Sequence, residues 1–163
     1  MLNWVDFAIF GLFVAVVMLE VKRGFGRALF DFAALLIALK AASLLGEPVS
    51  HTFQFTASTS TNLAVIYLGL FVILGALLAF LGKFLYDTTL ISAEAFDALL
   101  GGLFGLGIAV ILCHALVRTV ALNAGAPDIP PAVVAQSAFG TEFLTFESYH
   151  RLLNFLYNFH HVD

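Results

Sequence analysis

Four long apolar runs divide the chain, at residues 4–19, 28–45, 63–85 and 98–122, and polar or helix-breaking residues bound each one. A hydrocarbon core about 30 Å thick takes about 20 apolar residues in helical form, so each run predicts a transmembrane helix. Trp4 opens the first as an interfacial anchor. Pro48 follows the second run and Pro127 the fourth, and each predicts a helix stop. Between the second and third runs, residues 47–62 read EPVSHTFQFTASTSTN, a polar stretch rich in Ser and Thr. It predicts an exposed loop, because unpaired backbone cannot face lipid; a re-entrant segment is the sharper alternative. Lys83 and Asp87, at helical i,i+4 spacing, are expected to reach the surface at the end of the third run.

The pattern changes after Asn123. A Pro-rich break, GAPDIPP, leads into a stretch from Thr141 in which Phe146, Tyr149, Leu152, Leu153, Leu156 and Phe159 recur at steps of three and four. Glu147, Arg151, Asn154 and Asn158 occupy the other side. This predicts an amphipathic helix that lies in the membrane interface or packs on the end of the bundle. The expected fold is an all-α membrane protein: four transmembrane helices in antiparallel hairpins over residues 1–122, then a polar linker and an amphipathic C-terminal helix over 123–163.

Composition agrees with this reading. Of 163 residues 61% are hydrophobic and 11% charged, whereas a soluble domain carries about 25% charged residues. The net charge of -4 and the scattered cations exclude a basic patch for nucleic acid. The single cysteine, Cys113, cannot form an internal disulfide. The first run lacks a positive leading region and a small-x-small site after it, so it is expected to remain as a span.

The stretch VKRGFGRALF, residues 21–30, places Lys22, Arg23 and Arg27 among Gly24, Phe25 and Gly26, between two apolar runs. It predicts a tight helix–helix corner in which the glycines supply unusual backbone angles and the cations face lipid head groups. Lys22, Arg23, Arg27 and Lys83 fall on one side of a four-span chain, with Lys40 and Arg118 toward the other and Arg151 in the tail. That bias puts the corner in the cytoplasm and both termini outside. Asp6, Asp31 and Lys40 are charges within the spans. Asp6 and Lys40 lie 18 residues before and 16 after Gly24, hence at similar depth, and are expected either to pair or to reach the surface separately. Glu20 is expected to approach Arg27, which has Asp31 as a second acidic partner.

Gly101, Gly105 and Ala109 repeat every four residues on the fourth span, and Ala34, Ala38 and Ala42 do so on the second. Gly75 and Ala79 make a shorter pair on the third. Such stripes let helix backbones approach closely in lipid, within one chain or between copies. Asp97, at the start of the fourth helix, suits the positive end of its dipole.

With these stretches in view, the chain resembles the colicin V production protein family (CvpA). The resemblance rests on WVDFAIF at 4–10, RGFGR at 23–27 and DALLGGLFG at 97–105, in that order and spacing, and covers Asn3 to about Val120. Asp6, Arg23, Gly24, Phe25, Arg27, Asp97, Leu100, Gly101 and Gly105 fall on the family's recurrent positions. The family commonly has Asp-Arg where this chain has Asp97-Ala98, and often Arg-Gly where it has Ile108-Ala109. Any role of those arginines is therefore absent here or carried by another cation. The resemblance implies a bacterial inner-membrane protein connected with production or export of a peptide toxin, and implies no molecular activity.

No CxxC, HExxH, phosphate loop or GxSxG is present in the sequence. Cys113 and His114 are adjacent, so on a helix they diverge by about 100° and cannot act as nucleophile and base together. His114 and Arg118 share a face, as pore lining or as an interhelical contact. His150, His160, His161 and Asp163 mark a frayed end in preference to a metal site. The expectation is a non-enzymatic membrane component with no cofactor or metal, whose partners are the lipid bilayer and a second copy or another membrane protein. A small oligomeric transporter or channel, using Asp31, Lys40 and His114, is the alternative.

Overall fold

The structure is a computed structural model and describes residues 4–89, 94–125 and 131–146. Its helices are α1 (Trp4–Arg23), α2 (Phe25–Thr52), α3 (Thr59–Thr89), α4 (Asp97–Asn123), α5 (Ala132–Ala135) and α6 (Ala138–Thr145), with a 3-10 turn at Glu94–Phe96 before α4. No strand occurs among the described residues. The four longer helices are each long and apolar enough to cross a membrane, and the chain is a multi-pass membrane protein. Helix is what the solvent dictates, since hydrocarbon offers no hydrogen bonds and each helix satisfies its own backbone.

Two expected boundaries shift. Pro48 does not stop the second helix; it lies inside α2, which runs on to Thr52. The predicted loop at 47–62 therefore shrinks to residues 53–58. Its polar residues act as fasteners. The Ser50 hydroxyl donates to the Glu47 carbonyl at 2.7 Å, and Thr52 donates to the Pro48 carbonyl at 3.2 Å. Asn62, buried in the first turn of α3, donates to the carbonyls of Ser50 and Phe53 at 3.1 and 2.8 Å and accepts from the Phe55 N–H at 2.8 Å. One side chain thus closes the C-terminal end of α2 and sets the path to α3.

α2 packs along α3, and α1 packs along α4, while α4 also meets α2 and α3. α1 and α2 touch little, so the expected close pairing of the first two spans gives way to α1 against α4. The larger core lies among α2, α3 and α4, where Ala38, Ala42, Ala64, Tyr67, Phe71 and Ala115 meet. Small residues make the approach possible. A methyl added at Gly101 would lie 2.7 Å from the Glu20 carbonyl oxygen, and one at Gly105 3.2 Å from the Val17 Cα. Ala109 is fully buried on the same face. A methyl at Gly75 would lie 3.1 Å from Leu35. The stripes of α2, α3 and α4 are taken up within the chain.

α5 and α6 fold back on the bundle, and Val134 and Leu144 join Ile9, Cys113, Val117 and Ala121 in a second core. Ser137 caps α6 through the Gly140 N–H at 2.8 Å and donates its hydroxyl to Asp6 at 2.7 Å; the Phe139 N–H also donates to Asp6 at 3.1 Å. Asp6 therefore meets the C-terminal segment, and the expected Asp6–Lys40 pair does not form. The predicted pairing placed α1 beside α2, and α1 is not there. α6, Ala138–Thr145, overlaps only the first residues of the helix expected from Thr141 onward, and Phe146 after it takes a left-handed φ of 50°. The remainder of that expected helix, with Arg151, His150, His160, His161 and Asp163, lies outside the described residues.

Gly101→Ala is expected to destabilise the bundle by about 1–3 kcal/mol, because backbone cannot yield to the new methyl. Gly11→Ala, whose methyl would meet nothing within 4 Å, is the control and is expected to be neutral or better. Unfolding midpoints of the two variants in the same mild detergent check the difference.

Candidate functional site

The corner between α1 and α2 turns on one residue. Gly24 has φ 82°, a conformation that side-chained residues rarely adopt, while Gly26 lies buried inside α2 without a positive φ. A glycine has no side chain with which to cap the helix it precedes. The cap comes from 72 residues away: the Phe25 N–H donates to the Asp97 carboxylate at 3.2 Å. The other Asp97 oxygen occupies the space that a Cβ on Gly24 would need. Asp97 therefore opens α4 and also supplies negative charge to the N-terminal end of α2. Phe104, one turn beyond Gly101, packs between Phe25 and Phe32 with ring centroids 5.6 and 5.5 Å away.

Inside this joint lies a chain of four alternating charges. Arg23, the last residue of α1, bonds Glu20 at 3.0 Å and reaches across the corner to Asp31 at 3.1 Å. Arg27 bonds Asp31 at 3.0 Å and donates to the Ala79 carbonyl of α3 at 3.3 Å. Glu20 and Asp31 are 2% and 5% exposed. Arg27, expected to face head groups, turns inward with its side chain 17% exposed, because a buried carboxylate in a weakly screening medium attracts it strongly; Arg23 bonds both acids while its side chain stays 42% exposed. Glu20, expected near Arg27, bonds Arg23 instead. Lys22 bonds no acid among the described residues and is exposed.

These four residues line an open recess of about 280 Å³, bounded elsewhere by apolar side chains such as Leu35 and Ile108. One oxygen of Glu20, one of Asp31 and one guanidinium nitrogen of Arg27 are buried there without a hydrogen-bond partner. The site can therefore hold water or a small polar guest between two acceptors and a donor. It carries no nucleophile, and no group of His, Cys, Asp or Glu among the described residues could hold a metal ion.

Of the residues expected to matter, the fold brings together Arg23, Gly24, Phe25, Arg27, Asp31, Asp97 and Gly101, with Gly105 and Ala109 continuing along α4. Asp6 sits at the far end of α1 beside Ser137. Lys40 lies toward that same far end, in a recess with Ser43 and His114. His114, a candidate for pore lining, has its Nδ1 2.6 Å from the Phe143 carbonyl and its ring against Phe146. The capping role of Asp97 escaped the sequence reading; the available signal was a helix start at Phe25 with no Ser, Thr, Asp or Asn before it.

Compared with known proteins, the chain is matched over residues 5–145 by the family model described as Colicin V production protein. The match runs from α1 through α6, farther than the resemblance read to about Val120. No curated protein and no solved structure matches the chain significantly.

Asp31→Asn leaves Arg27 buried without its carboxylate and is expected to cost about 3–5 kcal/mol of stability. Adding Arg27→Gln in the same chain should recover part of that loss. A double-mutant cycle on unfolding midpoints, with a coupling of about 0.5–3 kcal/mol, is the expected result.

Proposed function

We propose that this chain, which belongs to the colicin V production protein family, is a non-enzymatic accessory of the bacterial inner membrane. In this reading it serves production or export of a peptide toxin by assembling with itself or with another membrane protein. The observation that carries the reading is the mutual neutralisation of Glu20, Arg23, Asp31 and Arg27 inside one chain. Charges arranged so build a rigid joint. With the small-residue stripes also buried, the surfaces left for association are apolar: Trp4, Phe7 and Phe10 on α1, and Ile73, Phe80 and Phe84 on α3. The corner faces the cytoplasm and both termini the periplasm, following the excess of Lys and Arg at the corner end. The amphipathic sequence pattern beyond Phe146 suits the membrane interface or the end of the bundle.

A second reading is favoured by the recess at the joint, whose unpartnered carboxylate oxygens suit a transporter that passes protons or small cations. One pair of measurements separates the two. Mass measurement of the intact complex from mild detergent is expected to give a defined oligomer or a stoichiometric membrane partner. Proteoliposomes are expected to show no flux above empty vesicles. Flux that disappears in Asp31→Asn would overturn the accessory reading in favour of transport.

A further inference from the structure

We propose that the end of the bundle opposite the corner binds the phosphate of an anionic phospholipid between Lys40 and Arg118. At the corner both arginines of the joint meet an acid within the chain. At the far end the pattern reverses. Neither Lys40 nor Arg118 meets a carboxylate among the described residues. Glu47, the acid that shares a recess with Arg118, turns outward with its side chain 78% exposed and lies 3.9 Å from His51. His114, the remaining titratable group beside Lys40, is held by the Phe143 carbonyl.

Depth fits the level of phosphate. Lys40 lies 16 residues beyond Gly24 and Arg118 lies 21 beyond Asp97, or about 24 and about 32 Å along their helices. For a hydrocarbon core about 30 Å thick that starts at the corner, Arg118 arrives at the opposite boundary and Lys40 lies about 6 Å short of it, a gap that a lysine side chain spans by snorkelling. A cation at that level with no acid of its own draws an anion from outside.

The geometry supplies the rest of the site. Ser43 lines two recesses, one of about 530 Å³ with Lys40 and His114 and one of about 230 Å³ with Arg118 and Tyr67. The Tyr67 hydroxyl is buried in the second beside the Ser43 hydroxyl, which lies within its reach. Two cations and the Ser43 hydroxyl thus line adjoining recesses, all able to donate to phosphate oxygens. The choice of a lipid over a free anion comes from the wall: Leu36 and Ile37 flank Lys40 in the larger recess and present exposed apolar surface, on which an acyl chain descending from the phosphate would lie.

The test uses the full chain in mild detergent and intact-complex mass spectrometry with added phosphatidylglycerol or phosphatidylcholine. Wild type is expected to retain phosphatidylglycerol and release phosphatidylcholine. Lys40→Gln/Arg118→Gln is expected to weaken retention about thirtyfold, the effect of two basic groups at a membrane surface. Lys83→Gln, an exposed cation at the corner end, should leave retention unchanged. Equal retention of the two lipids, or full retention by the double variant, overturns the proposal. Displacement of the lipid by inorganic phosphate at matched concentration overturns the lipid assignment in favour of a free anion. If the double variant does not fold, Ser43→Phe keeps both cations and fills the recesses; the same loss is expected, and undiminished retention overturns the site.

Discussion

The contact on which the bundle depends is the Asp97 carboxylate against the start of α2. It receives the Phe25 N–H at 3.2 Å while Gly24 turns the chain with φ 82°. Each half requires the other. A side chain at Gly24 would displace the carboxylate, and without the carboxylate the exposed N–H groups of α2 would face the positive end of α4. Gly101 completes the arrangement by letting α4 lie against the Glu20 carbonyl. The ends of α1, α2 and α4 then meet in a space small enough for Arg23 to reach from one helix to an acid on the next.

That proximity explains how charges can sit within apolar helices. A single ion in hydrocarbon is expensive, and a pair is tolerated only when geometry and remaining hydrogen bonds are good. Arg23 and Asp31 each serve two partners, so no member of the quartet stands alone. The far end follows a different rule. There Asp6 is satisfied by hydroxyl and amide donors from the C-terminal segment, and Lys40 and Arg118 meet no carboxylate among the described residues. Among the described residues, one end is thus compensated by ion pairs and the other is not.

The number and position of the spans were legible from the apolar runs because length and hydropathy alone set them in lipid. The small-residue stripes were legible too, as faces for close approach, though not which helix each would meet. Pro48 misled because the turns around it are held by side chains: Ser50, Thr52 and Asn62 donate to the carbonyls of Glu47, Pro48 and Ser50. The burial of Arg27 and the ion pairs of Arg23 were hidden because a corner between spans reads as surface. Its acids, Glu20 and Asp31, belong to helices whose relative placement no local pattern encodes. The same ignorance of placement paired Asp6 with Lys40, when its real partner lies 131 residues away.

Helix length carries a final consequence. α1 has 20 residues, while α2 and α3 have 28 and 31, or about 30, 42 and 46 Å of rise. The extra length is polar: the apolar runs of α2 and α3, residues 28–45 and 63–85, rise about 27 and about 35 Å, close to an ordinary bilayer. The last turns of α2, with Glu47, Ser50, His51 and Thr52, therefore continue as helix past the hydrocarbon boundary. The α2–α3 side of the molecule reaches into the head-group layer, where the α1 side stops at its edge.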